Sequence, residues 1–175
     1  LEVFGEESPF VYLAWKFPGT PVNALRWLPL LESILQNEET GLLDINLNKQ
    51  QKVLQANAWT WGFTDYNTLG LFGMPKEGQT LEEVKDLLLD KIAALQRGEF
   101  EDWLPEAVTK NFKRQQQSSL ASNQSCVQVL TSYFLQGNSW DDCLSTVDWL
   151  EQRSRADSAA FAQKYLAEPH AIVYK

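Results

Sequence analysis

The sequence predicts an α+β domain, a mainly antiparallel sheet of about four strands with several helices packed on one face. Three observations point to it. From Val53 to Phe63 the chain alternates as a pleated strand requires: Val53, Gln55, Asn57, Trp59, Trp61 and Phe63 share one side, and Leu54, Ala56, Ala58, Thr60 and Gly62 share the other. A second strand, Thr68 to Met74, follows the turn Asp65-Tyr66-Asn67 and ends at Pro75-Lys76-Glu77-Gly78. Behind this ribbon comes an amphipathic helix over 81–97. Thr80 and Glu83 open it as a capping box, Val84, Leu88, Ile92 and Leu95 recur at helical spacing, and Gly98 supplies the stop.

The remaining elements follow in chain order. Residues 1–9 read as an incoming segment, broken by Glu6-Glu7-Ser8-Pro9, and residues 10–175 as a single domain with no internal repeat or linker. Phe10 to Phe17 is a strand in which Tyr12, Ala14 and Lys16 oppose Val11, Leu13 and Trp15, closed by Pro18-Gly19. Thr20 and Pro21 suit the start of a helix that runs to about Gln36 on Leu25, Leu28, Leu31 and Leu35. Pro29 inside it predicts a kink or a restart. A short helix is expected from Gly41 to about Gln51. After the central unit, helices are expected over 102–120 and 125–136, with one or two short helical turns over 140–151. Ser154 with Asp157 opens a last helix, and Ala171 to Tyr174 forms a terminal strand.

Composition narrows the function. The net charge of −8 argues against binding a phosphate backbone, which needs clustered Lys and Arg. No nucleic-acid partner is expected, and Lys110, Lys113 and Arg114 read as a solvated helix face. No apolar run approaches the roughly eighteen residues of a membrane span, so no membrane partner is expected either. The chain opens with Leu1, which suggests a processed or excised piece of something longer. Cys126 and Cys143 form no CxxC pair and read either as buried free thiols or as a bridge between neighbouring helices.

The catalytic inventory is thin. His170 is the single histidine and sits beside a proline at a strand start, the place of an edge residue. One His and two separated Cys cannot assemble a zinc set of the usual kind, so neither catalytic nor metal-binding residues are expected in this chain. The acidic pairs Glu38/Glu39, Glu82/Glu83 and Asp141/Asp142 fall in loops or at helix starts, where they complement the helix dipole. No GxSxG, P-loop or GxGxxG occurs.

The order of elements and their landmarks resembles a known family. FVYLAWKFPG, ALRWLPLLESIL, GLLDINLNKQQKVLQANAWTW, NTLGLFGMPKEGQTLEEVKDLLLDKIAAL and ADSAAFAQKYLAEPHAIVYK together look like the second-type, inactive domain of the pitrilysin/insulinase zinc metallopeptidases, over Phe10 to Lys175. The resemblance rests on element order and apolar pattern. It implies a non-catalytic structural and substrate-chamber domain whose partners are other domains or subunits of the same peptidase. It also implies that zinc, the HxxEH motif and proteolysis belong to another domain of a zinc-dependent metalloendopeptidase. HxxEH is absent from this chain. Family domains of this kind can carry a substrate-holding Arg and Tyr seven apart; the corresponding places hold Asn48 and Gln55, which offer neither a guanidinium nor a phenol.

What remains is binding. An exposed strand edge can hold a peptide by β-augmentation, and the candidate substrate-binding residues are Asn48, Gln55, Asn57, Trp59 and Trp61, with Trp15 on the first strand as an alternative lining. Against this stands the reading that these tryptophans pack under helices 81–97 and 22–36. The rival function is a stand-alone interaction or assembly module that kept the fold without peptidase work, as core subunits of respiratory complexes did.

Overall fold

The computed structural model describes residues 8–19, 22–63, 65–167, 169 and 171–175. The expected cap at Thr20 and Pro21, most of the incoming segment and the edge position of His170 lie outside the described residues. Four strands form one sheet in the order β2-β3-β1-β4: β1 (Val11–Pro18), β2 (Gln55–Gly62), β3 (Tyr66–Met74) and β4 (Ala171–Tyr174). All three pairings are antiparallel, with Leu13 opposite both Leu71 and Ile172, and Ala58 opposite Leu71. With α1 (Val22–Leu35), α2 (Leu81–Arg97), α3 (Leu104–Leu120), α4 (Asn123–Leu135), α5 (Trp140–Glu151) and α6 (Arg155–Tyr165), this is the expected α+β architecture.

One face of the sheet carries the core. Val11, Leu13, Trp15 and Phe17 of β1, Ala56 and Ala58 of β2, and Leu69 and Leu71 of β3 are buried there. Helix α1 lies against β2, α2 lies against β3 and β1, and α6 packs on α2. Leu28, Leu30, Leu31, Ile34 and Leu35 from α1 meet Val84, Leu88, Ile92 and Leu95 from α2 in the same cluster. The small residues of β2 sit inward because α1 comes close over them, and Gly73 does the same for α2. A Cβ at Gly73 would lie 2.5 Å from Val84 Cγ1. Helices α3 and α5 form a second layer against α1, where Trp27 meets Trp149 edge-on at 5.0 Å and stacks on Phe161 at 4.9 Å.

The helix starts follow the sequence. Thr80/Glu83, Ser139/Asp142 and Ser154/Asp157 each form a full capping box, and Gly98 closes α2 at φ 67. Four local expectations change. Helix α1 continues through Pro29 without a restart. The segment over 140–151 is one continuous helix, because its capping box nucleates it and Cys143, Val147 and Leu150 bury one side. Tyr66 and Asn67 belong to β3 rather than to the turn, and Phe63 N–H bonds to Tyr66 O at 3.0 Å. The short helix after Gly41 widens into a π-turn, Asp44–Asn48, in which Lys49 N–H bonds to Asp44 O at 2.8 Å. Cys126 and Cys143 are free thiols.

Candidate functional site

The outer face of the sheet, opposite the helices, is aromatic. Alternation along three strands brings Tyr12 of β1, Trp59 and Trp61 of β2 and Phe72 of β3 to one side, with Phe10, Phe63 and Tyr66 at its borders. Tyr12 stacks on Trp59 at 5.0 Å, and Trp59 lies 6.1 Å from Trp61 and 6.3 Å from Phe72. Phe10 meets Phe72 at 5.3 Å, and Phe63 meets Tyr66 at 4.9 Å. Gly70 makes the stack possible: a Cβ there would stand 2.5 Å from the Tyr12 hydroxyl and 3.0 Å from Trp59 Cε2. Burial pushes the Tyr12 phenol above its ordinary range, partly offset by the Trp59 indole beside it. Trp61 is 55% exposed, an unusual state for the largest apolar side chain. The cations of the face lie against rings, with Lys16 Nζ 5.2 Å from the Tyr66 centroid and Lys175 Nζ 5.8 Å from that of Phe10.

The edge of β2 is closed by side chains. In the antiparallel ladder, Asn57, Trp59 and Trp61 turn their backbone groups to β3, which leaves those of Ala56, Ala58 and Thr60 pointing outward. Asn48 meets Ala56 twice: its Nδ2 donates to Ala56 O at 2.8 Å, and Ala56 N–H donates to Asn48 Oδ1 at 2.8 Å. Ala58 N–H donates to Gln36 Oε1 at 2.6 Å. Thr60 gives both its N–H and its hydroxyl to the Glu32 carboxylate, the hydroxyl at 2.5 Å. Burial raises the pKa of Glu32, and the two Thr60 donors pull it back in part. The π-turn places Asn48 for this, and Asn37 N–H to Asp44 Oδ2 at 2.8 Å ties that turn to the end of α1.

The five residues singled out from sequence thus separate. Gln55, Asn57, Trp59 and Trp61 share the outer face, as their alternation requires. Asn57 is half-buried and accepts from Gln36 Nε2 at 3.1 Å, Gln55 is exposed, and Asn48 is engaged at the strand edge. Trp15 is fully buried under the helices, which removes it as a lining residue. Trp59 and Trp61 alternate away from the helix-covered side that Ala56 and Ala58 face, so neither packs beneath 81–97, while Trp61 at the end of β2 also borders a cavity shared with Arg26, Leu28 and Pro29 of α1. Phe63 joins them as the alternation required, whereas Tyr12, Tyr66 and Phe72 were not anticipated as part of one surface with them, although the period of two along β1 and β3 carries that signal. Glu32 and Gln36 had no sequence signal, since they reach β2 from a distant helix. Among the described residues, no three His, Cys, Asp or Glu side chains gather to hold a metal ion. No described helix is long and apolar enough to cross a membrane.

No protein-family model matches the chain, and no curated protein sequence matches it. Solved structures do match. A protease from Helicobacter pylori superposes with a TM-score of 0.87 at 16% identity, over 99% of this chain and 42% of its own. The inactive peptidase domain of a candidate zinc protease from Bordetella parapertussis gives 0.80 at 15% identity, over 98% of this chain and 93% of that one. A chain of Complex III2 from Candida albicans gives 0.72 at 14% identity, over 100% and 45%. The chain therefore spans less than half of the Helicobacter and Candida chains and nearly all of the Bordetella domain. At such identities the likeness is one of fold, and the fold is that of the inactive peptidase domain of a zinc protease, as the sequence resemblance implied.

Proposed function

We propose that this chain is a non-catalytic wall of a peptide-binding chamber in a zinc metallopeptidase, with the zinc and the hydrolytic residues supplied by another domain or subunit. The observation that carries it is the sheet with two unlike faces: one sealed by helices, the other open and aromatic around Trp61. In this reading Gln55, Trp59 and Trp61 contact the peptide. Asn48 and Asn57 act at one remove, by holding the β2 edge and the side chains that close it. Because the outward N–H groups of Ala56, Ala58 and Thr60 already have acceptors, the peptide lies across the aromatic face instead of adding as a strand to β2. Among the described residues no three His, Cys, Asp or Glu side chains gather to hold zinc, and no step of the chemistry is assigned to this chain.

The test combines binding with activity. Titration of the chain with an extended apolar peptide is expected to change tryptophan fluorescence. Trp61→Ala is expected to weaken binding by about three- to tenfold, the size of one lost aromatic contact (~0.5–1.5 kcal/mol). The chain alone is expected to cleave nothing, and chelator is expected to abolish cleavage in the parent peptidase. Peptide hydrolysis by the chain alone, or binding indifferent to Trp61, counts against the proposal. A second reading, an assembly module without peptidase work, is favoured by the likeness to the Complex III2 chain. It predicts no peptide binding and a parent that cleaves no peptide with or without chelator.

A further inference from the structure

The aromatic face continues at Trp61 into a cavity of about 340 Å³, walled otherwise by α1, α3, α4, α5 and the segment after α4. That volume is in the range of small-ligand sites. Leu28, Phe112 and Leu150 give it apolar walls, and Arg26 is the one charged residue among the described residues that line it. The Arg26 side chain is only 11% exposed. Its Nη2 donates to Asp142 O at 3.1 Å and to Ser145 Oγ at 2.7 Å, and faces Asp142 Oδ1 at 3.5 Å. Asp142 answers that charge only in part, because its Oδ2 accepts from the Ser139 N–H and hydroxyl. Arg26 Nε is buried and donates to nothing, and Asn138 Oδ1, in the same lining, is buried and accepts nothing. A native fold rarely leaves a buried donor or acceptor unpaired, and here one of each borders a single cavity. Burial pushes the Tyr133 phenol beside them above its ordinary range, opposed by the Thr146 hydroxyl and by the Arg26 charge.

We propose that this cavity binds the C-terminal residue of a peptide, with its carboxylate on Arg26, its amide N–H on Asn138 Oδ1 and its apolar side chain among Leu28, Phe112 and Leu150. The unused donor and acceptor select a chain end. An acidic side chain or an inorganic anion satisfies Arg26 and leaves Asn138 unpaired, whereas a C-terminal residue carries a carboxylate and an N–H on the same Cα. The cationic donor sits away from water, where a charge-assisted hydrogen bond to a carboxylate is at its strongest. The proposal rests on the peptide-chamber reading and gives it a direction: a peptide that crosses Trp59 and Trp61 ends in the cavity that Trp61 borders.

Titration of the 175-residue chain, read by tryptophan fluorescence, tests it with three probes. These are acetyl-Leu-Ala-Ser-Ala-Leu as the free acid, the same peptide as its C-terminal amide, and the amide with Glu in the last place. The free acid is expected to bind about tenfold tighter than either amide, the size of one hydrogen bond to a charged group. Arg26→Gln is expected to bring the free acid down to the level of its amide and to leave the amide unchanged. Asn138→Ala is expected to weaken the free acid by a smaller factor, about threefold. The comparison of acid with amide on the unaltered chain decides the matter even if Arg26→Gln fails to fold. Equal binding of acid and amide, a Glu-ended amide that binds as tightly as the free acid, or an acid preference that survives Arg26→Gln overturns the cavity proposal and leaves the chamber reading standing. Failure of all three peptides to bind overturns the chamber reading and this proposal with it.

Discussion

Asn48 illustrates how one side chain can stand in for a strand. Its carboxamide presents a donor and an acceptor to Ala56, the same pair that a neighbouring backbone would offer. Asn48→Ala leaves both groups of Ala56 to water or to nothing and is expected to cost about 1–3 kcal/mol in urea unfolding, with Asn48→Asp intermediate because it keeps the acceptor alone. Glu32 is a different case, because its folded-state pKa lies above the ordinary value of 4.5. The native state then holds the proton more tightly than the unfolded chain does. The associated stability is fully present below the ordinary glutamate pKa and is lost as pH rises through the raised folded value. Glu32→Gln, which keeps an acceptor for Thr60, is expected to remove this slope. Unfolding midpoints of the variant and the parent should converge in acid and separate in the variant's favour toward neutral pH.

At the scale of elements, the sheet and α2 are matched through a glycine. The Cβ missing from Gly73 leaves room for Val84, whose branched side chain has little freedom to turn away, and for Leu88 Cδ1 at 3.1 Å from the same point. Gly73→Ala is expected to push α2 off β3 and cost about 1–3 kcal/mol of thermal or urea stability, whereas Gly78→Ala, with open space around it, bears only its own backbone strain. Elements of this kind were legible from sequence where the signal is local. The Thr80/Glu83 box, the Gly98 stop and the alternation of β2 all lie within a few residues of what they determine. Two things were not legible. Alternation says that Trp59 and Trp61 share a side, but only the helices decide which side is covered, and here they chose the alanines. Likewise, Gln36 and Asn48 show no local pattern, because their partners Ala58 and Ala56 become neighbours only once α1 and the π-turn have docked on β2.

For the whole molecule, the sheet is divided between a helix-covered face and an aromatic face, and among the described residues no cluster of metal-ligating side chains underlies that division. Chelator is accordingly expected to leave the thermal midpoint of the isolated chain unchanged; a drop on chelation, restored by zinc, would show that the fold itself depends on a bound ion. The closed edge of β2 has one more consequence. An open strand edge is a template on which other chains can polymerise, and the other end of this sheet is β4, only four residues long. Along β2, a recruiting strand would first have to displace Asn48, Gln36 and Glu32 from the very groups it needs. The sheet is thereby finite by construction, and fibrous aggregation through β2 has to begin with the release of α1 and the π-turn, not with a collision between folded molecules.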